Sequence, residues 1–216
     1  MKLPLVISLL VFSSLEPVVA QNAYVRLGKQ AFVDGDFRMA VRQLEKACLL
    51  DSTNANSFWM LGYSYYHSDN YAKSITAFNK ELSITPTDAY AYYWRAQAKS
   101  RIGRDIQMSA ADREKYMLDA IFDYTKAIEI NSTDGKVSSC YQNRGLTYRD
   151  YALFKLDATQ RASYDKMRGI RALRASIEDL SKVLADNSSR NDISTLLDQV
   201  KEKLASVSSV ATSQRH

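Results

Sequence analysis

The side chains that most often carry out catalysis are scarce in this chain. Its two histidines are His67 and His216, so a histidine-based triad or metal site would depend on one side chain. The sequence contains no GxSxG, HExxH or CxxC motif and no glycine-rich phosphate loop. Adjacent carboxylates such as Glu178 and Asp179 are interpreted as part of a solvated helix face. We therefore expect no enzymatic activity, no cofactor and no metal site.

The elements that position the remaining side chains are predicted by an internal repeat. Apolar and small residues from Tyr24 to Ala47 are followed 34 positions later by a matching set from Phe58 to Glu81. A period of 34 residues is that of a helix-turn-helix repeat. Because repeat proteins present surfaces, the expected function is binding rather than catalysis.

Helices are predicted at 22–34 and 37–50 in the first repeat, and at 55–68 and 71–84 in the second. In each helix the apolar residues recur at helical spacing, which gives one stripe to bury. A helix pair cannot bury its stripe alone, so at least three stacked pairs are expected. With 7 Gly, 3 Pro and no alternating strand pattern, the fold is predicted to be all-α.

The third and fourth repeats are longer than the first two. The third covers 89–133 with an insertion at 104–116, and the fourth covers 135–188 with an insertion at 151–171. Ser109-Ala110-Ala111-Asp112 has the spacing of a capping box, so the first insertion is expected to start or extend a helix.

The predicted repeat domain covers residues 21–206, and its first two repeats are 21–54 and 55–88. Apolar residues after Arg190 recur at helical spacing, which predicts a capping helix over 190–206. The final segment, 207–216, has no apolar periodicity and is expected to be disordered.

Residues 1–20 have the features of a secretory signal peptide. Lys2 precedes an apolar run that ends at Leu15, and small residues lead to a cleavage site after Ala20. The apolar run is shorter than the roughly 20 residues that span a bilayer. The protein is therefore expected to be exported to a periplasm, the envelope or the extracellular space, with no transmembrane segment, and an uncleaved anchor is the alternative.

Cysteine and charge patterns limit the partners. Cys48 and Cys140 lie in different repeats, so they are expected to be two buried free thiols. Between residues 142 and 174, eight basic residues stand against three acidic ones. A basic patch of Arg161, Lys166, Arg168 and Arg171 could contact an anionic surface, or could be an ordinary solvated helix face. No motif indicates binding to nucleic acid.

These residues resemble the tetratricopeptide repeat family. Its pattern of an aromatic residue, Leu-Gly, Tyr, a second aromatic residue and Pro is present as Phe58, Leu61-Gly62, Tyr65, Phe78 and Pro86. The resemblance covers about residues 21 to 188, with the later repeats matching by halves. One departure is Arg95, where Leu is usual, and it is expected to weaken the packing of the third repeat.

The resemblance implies a right-handed superhelical solenoid of about four antiparallel helix pairs with a concave groove for peptides. The groove would be lined mainly by aromatic and polar side chains of the first helix of each pair. The predicted groove residues are Lys29, Phe32, Trp59, Tyr63, Tyr66, Tyr90, Tyr93, Trp94, Gln97 and Arg149. Members that bind the C-terminal carboxylate of chaperones use a Lys/Asn/Arg clamp, which this sequence lacks.

Two functional hypotheses remain open. In the first, the chain is an exported adaptor or assembly factor that binds a peptide or protein segment in the aromatic groove. In the second, the insertions or the C-terminal helix fill the groove. The chain would then be a structural envelope component that attaches to an anionic surface through its basic fourth repeat.

Overall fold

The computed structural model of the chain describes residues 23–131, 137–159 and 164–209. Within these ranges the regular secondary structure is helical and no residue lies in a β-strand, which confirms the prediction of an all-α fold. The helices are α1 (23–33), α2 (Phe37–Leu50), α3 (Ala55–His67), α4 (Tyr71–Ile84), α5 (Ala89–Gly103), α6 (Ala110–Ile130), α7 (Val137–Leu156), α8 (Lys166–Asp186) and α9 (Asn191–Ser209).

The first helices begin and end where local signals in the sequence place them. The observed ends of α1 to α4 differ by at most one residue from the predicted ends. Asp36, Asn54 and Asn70 each accept a hydrogen bond from the backbone N–H three residues later, at 2.9, 3.0 and 3.3 Å. These caps satisfy amide groups that have no partner within the helix, and so fix the helix starts.

The chain divides into two compact units, Met1–Pro86 and Thr87–His216. We call them unit 1 and unit 2 and describe each by itself. The predicted signal peptide and residues 210–216 of the predicted disordered tail lie outside the described residues. Residues 207–209 of that tail belong to α9, and Val207 packs against the core of unit 2, so the prediction of disorder is wrong for these three residues. The prediction of one repeat domain over 21–206 stays a prediction. No helix of the described ranges is both long and apolar enough to cross a membrane.

In unit 1, glycines let the two helices of each pair approach closely. A Cβ atom at Gly28 would lie 2.7 Å from the Leu44 side chain, and one at Gly62 would lie 2.9 Å from the Phe78 ring. Leu44 and Phe78 are fully buried. The Leu-Gly positions of the sequence pattern are therefore the contact points between paired helices.

Unit 2 repeats this contact in its last helix pair. A Cβ atom at Gly145 of α7 would lie 3.2 Å from Leu180 of α8. The Ser176 hydroxyl donates to the Gly145 carbonyl at 2.8 Å, as the Ser74 hydroxyl donates to the Gly62 carbonyl in unit 1. The fourth repeat thus keeps the packing of the second despite its longer helices.

The insertion in the third repeat lengthens a helix. Helix α6 has 21 residues, whereas α2 and α4 have 14 each. The Ser109 hydroxyl oxygen accepts a hydrogen bond from the Asp112 N–H at 3.1 Å, and the hydroxyl donates to the Asp112 carboxylate at 2.7 Å. The predicted cap within the inserted segment is therefore present, at the start of α6.

Glu114 fastens this extension of α6 to the following helices. Its carboxylate accepts hydrogen bonds from the Lys155 ammonium group at 2.6 Å, the Tyr151 hydroxyl at 3.1 Å and the Arg168 guanidinium at 3.3 Å. The Lys155 side chain is only 5% exposed. A buried ammonium group needs an anionic partner, so Glu114 holds the first turns of α6 against α7 and α8.

Two buried ion pairs replace apolar contacts in unit 2. Arg95 donates to both carboxylate oxygens of Asp123, at 2.8 and 2.7 Å, and Lys99 donates to the same carboxylate at 2.7 Å. Arg144 donates to both oxygens of Asp179, at 2.8 Å each. Arg95, which stands where Leu is usual, thus has the buried Asp123 as its partner, and the expected weakening of the third repeat's packing stays a prediction.

The C-terminal helix completes the core of unit 2. Ile193, Leu197 and Val200 of α9 are buried in a cluster with Leu180 and Val183 of α8. This helix therefore covers the apolar side of α8.

Candidate binding surfaces

Unit 1 carries a continuous set of aromatic side chains. Trp59, Tyr63 and His67 lie four residues apart on α3 and so share one face. The Trp59 and Tyr63 rings are stacked at 5.5 Å between centroids, and Tyr63 and His67 are 4.3 Å apart. Phe32 lies 5.3 Å from Tyr63, and Phe37 is stacked on His67 at 4.7 Å. We call these five residues the unit 1 aromatic surface.

Part of this surface is a structural feature of the repeat. Phe32 and Phe37 flank the turn between α1 and α2 and have ring centroids 6.2 Å apart. Tyr66 and Tyr71 occupy the same positions 34 residues later, at 5.5 Å. These edge-on pairs stabilise the turns of both helix pairs, which accounts for the positions of Phe32 and Phe37. Trp59, Tyr63 and His67 take no part in these pairs at the turns.

The surroundings of the unit 1 rings are partly apolar. Burial lowers the pKa of His67, and the nearby Asp69 carboxylate opposes that change. Burial also raises the pKa of Tyr63. Phe32 and Trp59 are half-buried against the unit 1 core, which makes truncation of either ring costly for folding as well as for binding.

Unit 2 contains a small aromatic cavity of about 210 Å³. It is lined by the N-terminal part of α5, the C-terminal end of α6 and the N-terminal part of α7. We call it the aromatic cavity, and its walls are Ala89, Tyr90, Tyr93, Trp94, Asn131, Ser139 and Cys140.

Hydrogen bonds fix one wall of the aromatic cavity. The Tyr93 hydroxyl oxygen accepts hydrogen bonds from Gln97 Nε2 at 2.9 Å and from Asn143 Nδ2 at 3.0 Å. The Tyr93 ring also packs edge-on against the buried Tyr124 ring, at 5.9 Å. Tyr93 is thus held in place before any ligand arrives.

Tyr90 and Trp94 differ from Tyr93 in their packing and exposure. Tyr93 packs against two buried clusters, which contain Tyr124 and Cys140 respectively. Trp94 is half-buried with its ring edge-on to Tyr93 at 5.3 Å, and Tyr90 is 40% exposed. These two rings are therefore the ones a ligand could cover without rearrangement of the core.

The other predicted site residues are distributed over both units. Lys29 is exposed on α1. Gln97 lies next to the aromatic cavity, where it positions Tyr93. Arg149 lies outside that cavity and donates to Asp150 at 2.7 Å.

The predicted basic patch is partly neutralised. Arg168 lies 3.3 Å from Glu114 and 3.2 Å from Asp165. Lys166 is half-exposed and Arg171 is exposed, whereas Arg161 lies outside the described residues. Contact of this patch with an anionic surface stays a prediction.

Several residues in and behind the walls were not predicted from the sequence. Ser139, Cys140 and Asn143 come from α7, and Asn143 lies 50 positions after Tyr93. They follow the insertion at 104–116, so no periodicity links them to α5. Phe37 of the unit 1 aromatic surface could have been found, because it holds the same repeat position as Tyr71.

Both cysteines are buried free thiols in the structure. Burial raises the pKa of Cys48 to about 12 and that of Cys140 to about 11. In the described ranges, no three His, Cys, Asp or Glu side chains are grouped closely enough to hold a metal ion.

Comparison with known proteins supports the fold. The sequence profile of the tetratricopeptide repeat family matches residues 55–88. A search of curated proteins finds no match. A crystal structure of MamA protein is 17% identical with a TM-score of 0.54, covering 91% of this chain and 96% of that chain.

Two further solved structures are similar. The pilF protein of Pseudomonas aeruginosa is 16% identical with a TM-score of 0.56, covering 87% of this chain and 70% of its own. A thermophilic TPR protein from Thermus thermophilus is 14% identical with a TM-score of 0.50, covering 83% and 98%. The chain therefore contains a tetratricopeptide repeat at residues 55–88 and has the all-α fold of tetratricopeptide repeat proteins.

Proposed function

We propose that the chain is a protein–protein interaction module and that the aromatic cavity binds an apolar side chain of a partner segment. The fold supports the first part, because helical repeats serve as extended binding surfaces. The observation that carries the second part is the pair of Tyr90 and Trp94, two large rings that line a cavity and are not themselves buried.

The size of the cavity indicates what it can hold. At about 210 Å³ it is smaller than the roughly 300–1,000 Å³ of pockets that hold drug-sized ligands. It accommodates one large apolar or aromatic side chain. Such a residue would gain contact with rings that have few rotamers to lose, as in binding hot spots.

A random peptide library displayed on phage provides the test. After selection on the purified protein, the affinity of one enriched peptide is measured by fluorescence anisotropy. The double variant Tyr90→Ala with Trp94→Ala is expected to bind at least about tenfold more weakly, the loss typical of a hot-spot residue. Its free energy of unfolding is expected to fall by less than about 2 kcal/mol, because Tyr90 is 40% exposed and Trp94 is only half-buried.

Phe122→Ala is the matched control. Phe122 is an exposed aromatic residue of unit 2, 58% exposed on α6, and does not line the aromatic cavity. Its removal is expected to leave the affinity unchanged. If Phe122→Ala weakens binding as much as the double variant does, or if the double variant binds normally, the proposal is wrong.

Export forms the third part of this proposal. We place the protein in the periplasm, the envelope or the extracellular space, on the strength of the apolar run and the small residues before Gln21. Mass spectrometry of the protein from its native source tests this directly. A mature N-terminus at Gln21 is expected, and an intact N-terminus in the cytoplasmic fraction would reject export.

A further inference from the structure

A second, larger cavity lies in unit 2, at the other end of α5 and α7. Its volume is about 610 Å³, within the range of ligand pockets. One wall is apolar and consists of Met117, Leu146, Leu153 and Phe154. Leu153 is 45% exposed, so a ligand that covered this wall would remove apolar surface from water. We call it the arginine cavity because of the charges described next.

The charged residues of the arginine cavity are three arginines and two aspartates. They are Arg104, Arg113, Arg149, Asp150 and Asp157. Their formal charges leave an excess of one positive charge beside an apolar wall. Charge interactions are stronger next to such a wall than in open water.

The Asp150 carboxylate accepts hydrogen bonds from two of these guanidinium groups. Arg104 Nε lies 2.5 Å from one oxygen of Asp150, and Arg149 donates to the other oxygen at 3.0 and 2.7 Å. A guanidinium has five N–H donors. The contacts with Asp150 therefore use one donor of Arg104 and two of Arg149, and the others can reach a ligand.

Arg113 is the third cation, and no ion pair forms on it within the part of the chain that the structure describes. Its guanidinium lies 5.0 Å from the centre of the Phe154 ring, and its Nε donates a long hydrogen bond of 3.4 Å to the Gly103 carbonyl. The Asp157 carboxylate is held by Thr159, at 2.6 and 3.0 Å. Arg113 is thus placed over the apolar wall with donors available.

The insertion in the third repeat supplies two of the three arginines of the arginine cavity. Arg104 and Arg113 both lie within 104–116, the segment that the 34-residue repeat lacks. Glu114, next to Arg113, is fixed by the buried Lys155 at 2.6 Å. The wall that carries Arg113 is therefore held in place in the free protein, which reduces the entropy cost of binding.

We propose that the arginine cavity binds an acidic side chain of a protein partner, with a neighbouring apolar side chain of the same segment against Leu153 and Phe154. Guanidinium groups recognise a carboxylate through paired hydrogen bonds. The apolar wall adds affinity for a ligand that carries an apolar group beside its charge. This site is distinct from the aromatic cavity, so the two proposals can fail separately.

Peptides from a library in which every sequence carries Asp or Glu beside Leu, Ile or Phe test this proposal. After selection on the whole protein, affinity is measured by fluorescence anisotropy at about 150 mM salt, where contributions from distant charges are screened. Arg113→Gln is expected to weaken binding at least tenfold, as is replacement of the peptide's Asp or Glu by Asn or Gln. Phe122→Ala, which removes an exposed ring that lines neither cavity, is expected to leave the affinity unchanged.

Arg171→Gln is the matched control, because Arg171 is exposed on α8 and does not line the cavity. It removes the same charge and is expected to change affinity by less than twofold. Arg104→Gln provides a second variant if Arg113→Gln melts at a lower temperature than the wild type. Failure to select any peptide, equal losses in Arg171→Gln, or undiminished binding of the amide peptide would each overturn the proposal. Displacement of the peptide by a fatty acid at lower concentration than by the free peptide would also overturn it, because the ligand would then be a small carboxylate.

Discussion

At the scale of single residues, unit 2 uses charge where unit 1 uses apolar contact. Arg95 and Arg144 occupy the position that Leu61 holds in the second repeat. Their partners Asp123 and Asp179 occupy the position of Ala77, one residue before the large core residue of the second helix. A buried ion pair is often no more stabilising than an apolar pair of similar volume, but the loss of one partner is costly.

A double-mutant cycle on Arg144 and Asp179 tests this comparison. Asp179→Ala leaves the Arg144 side chain, which is 14% exposed, without its carboxylate and is expected to cost about 3–5 kcal/mol of unfolding free energy. Arg144→Leu with Asp179→Ala restores the residue types of Leu61 and Ala77. The double variant is expected to be more stable than the single variant in urea denaturation. Equal or lower stability would show that unit 2 cannot accept the apolar pair.

The cysteines give a prediction about pH. The pKa of Cys48 is raised to about 12 and that of Cys140 to about 11 by burial, so both are protonated near neutral pH. Since the thiolate is the reactive form, alkylation by iodoacetamide in the native state is expected to be at least a hundredfold slower than for a free cysteine. Mass spectrometry against time follows the reaction.

Cysteine alkylation is also expected to accelerate as the pH rises, by about tenfold per unit until the pH approaches each pKa. Both thiols should react quickly in concentrated guanidinium chloride, which serves as the control for reagent access. Rapid labelling of Cys140 in the folded protein at neutral pH would contradict its buried position in the aromatic cavity.

At the scale of helices, the insertion in the third repeat contributes to three features of unit 2. It extends α6, supplies two arginines of the arginine cavity and provides Glu114, which binds the buried Lys155. The Glu114 side chain therefore holds the first turns of α6 against α7. The second part of the insertion is therefore an ordered stretch of α6, although none of the residues 104–116 is buried.

Glu114→Ala is expected to loosen this coupling. The change removes the carboxylate that pairs with the buried Lys155 side chain, so a loss of about 3–5 kcal/mol in unfolding free energy is expected, with faster amide hydrogen exchange over 110–116. Lys115→Ala is the control at the neighbouring position, because its ion pair with Asp119 at 3.1 Å is on the surface. That change should cost less than about 0.5 kcal/mol. Similar losses in the two variants would show that Glu114 does not anchor the helix.

The sequence predicted these helices unequally, for a physical reason. Caps, glycine turns and apolar spacing are local, so the ends of α1 to α4 could be predicted within a residue. The pairing of Glu114 with Lys155 joins residues 41 positions apart across an insertion, and no local signal records it. The partner of Arg95 was missed for the same reason, since its place in α6 depends on how the insertion folds.

At the scale of the whole molecule, the two units offer different surfaces. Unit 1 presents stacked rings that also hold its helix pairs together. Unit 2 contains two cavities, one lined by aromatic rings and the other by arginines beside an apolar wall. The positions of the aromatic residues on α3 and α5 could be predicted from the repeat register, and their role in binding stays a prediction. Which of the α5 rings pack against the core could not be predicted, because that depends on side chains from α6 and α7.

The contacts of Tyr93 with the core separate it from Tyr90 and Trp94 in a mutational test. The Tyr93 ring packs on two buried clusters, so Tyr93→Ala is expected to cost about 3 kcal/mol or more of stability, as core truncations of aromatic residues do. Urea denaturation measures that loss. A Tyr93 variant that keeps wild-type stability would show that the ring is not part of the core. Tyr90 and Trp94 would then no longer differ from Tyr93 as the rings that a ligand can cover without rearrangement of the core.

The fluorescence of Trp94 tests the central claim most directly. In a Trp59→Phe variant Trp94 is the single tryptophan, since the chain contains 2 Trp. Titration with a peptide selected on the wild-type protein is expected to shift the Trp94 emission to shorter wavelength, in parallel with the rise in peptide anisotropy, because the partner's side chain excludes water from the ring. Saturable binding of the peptide with no change in Trp94 emission would contradict the assignment of the aromatic cavity as the binding site.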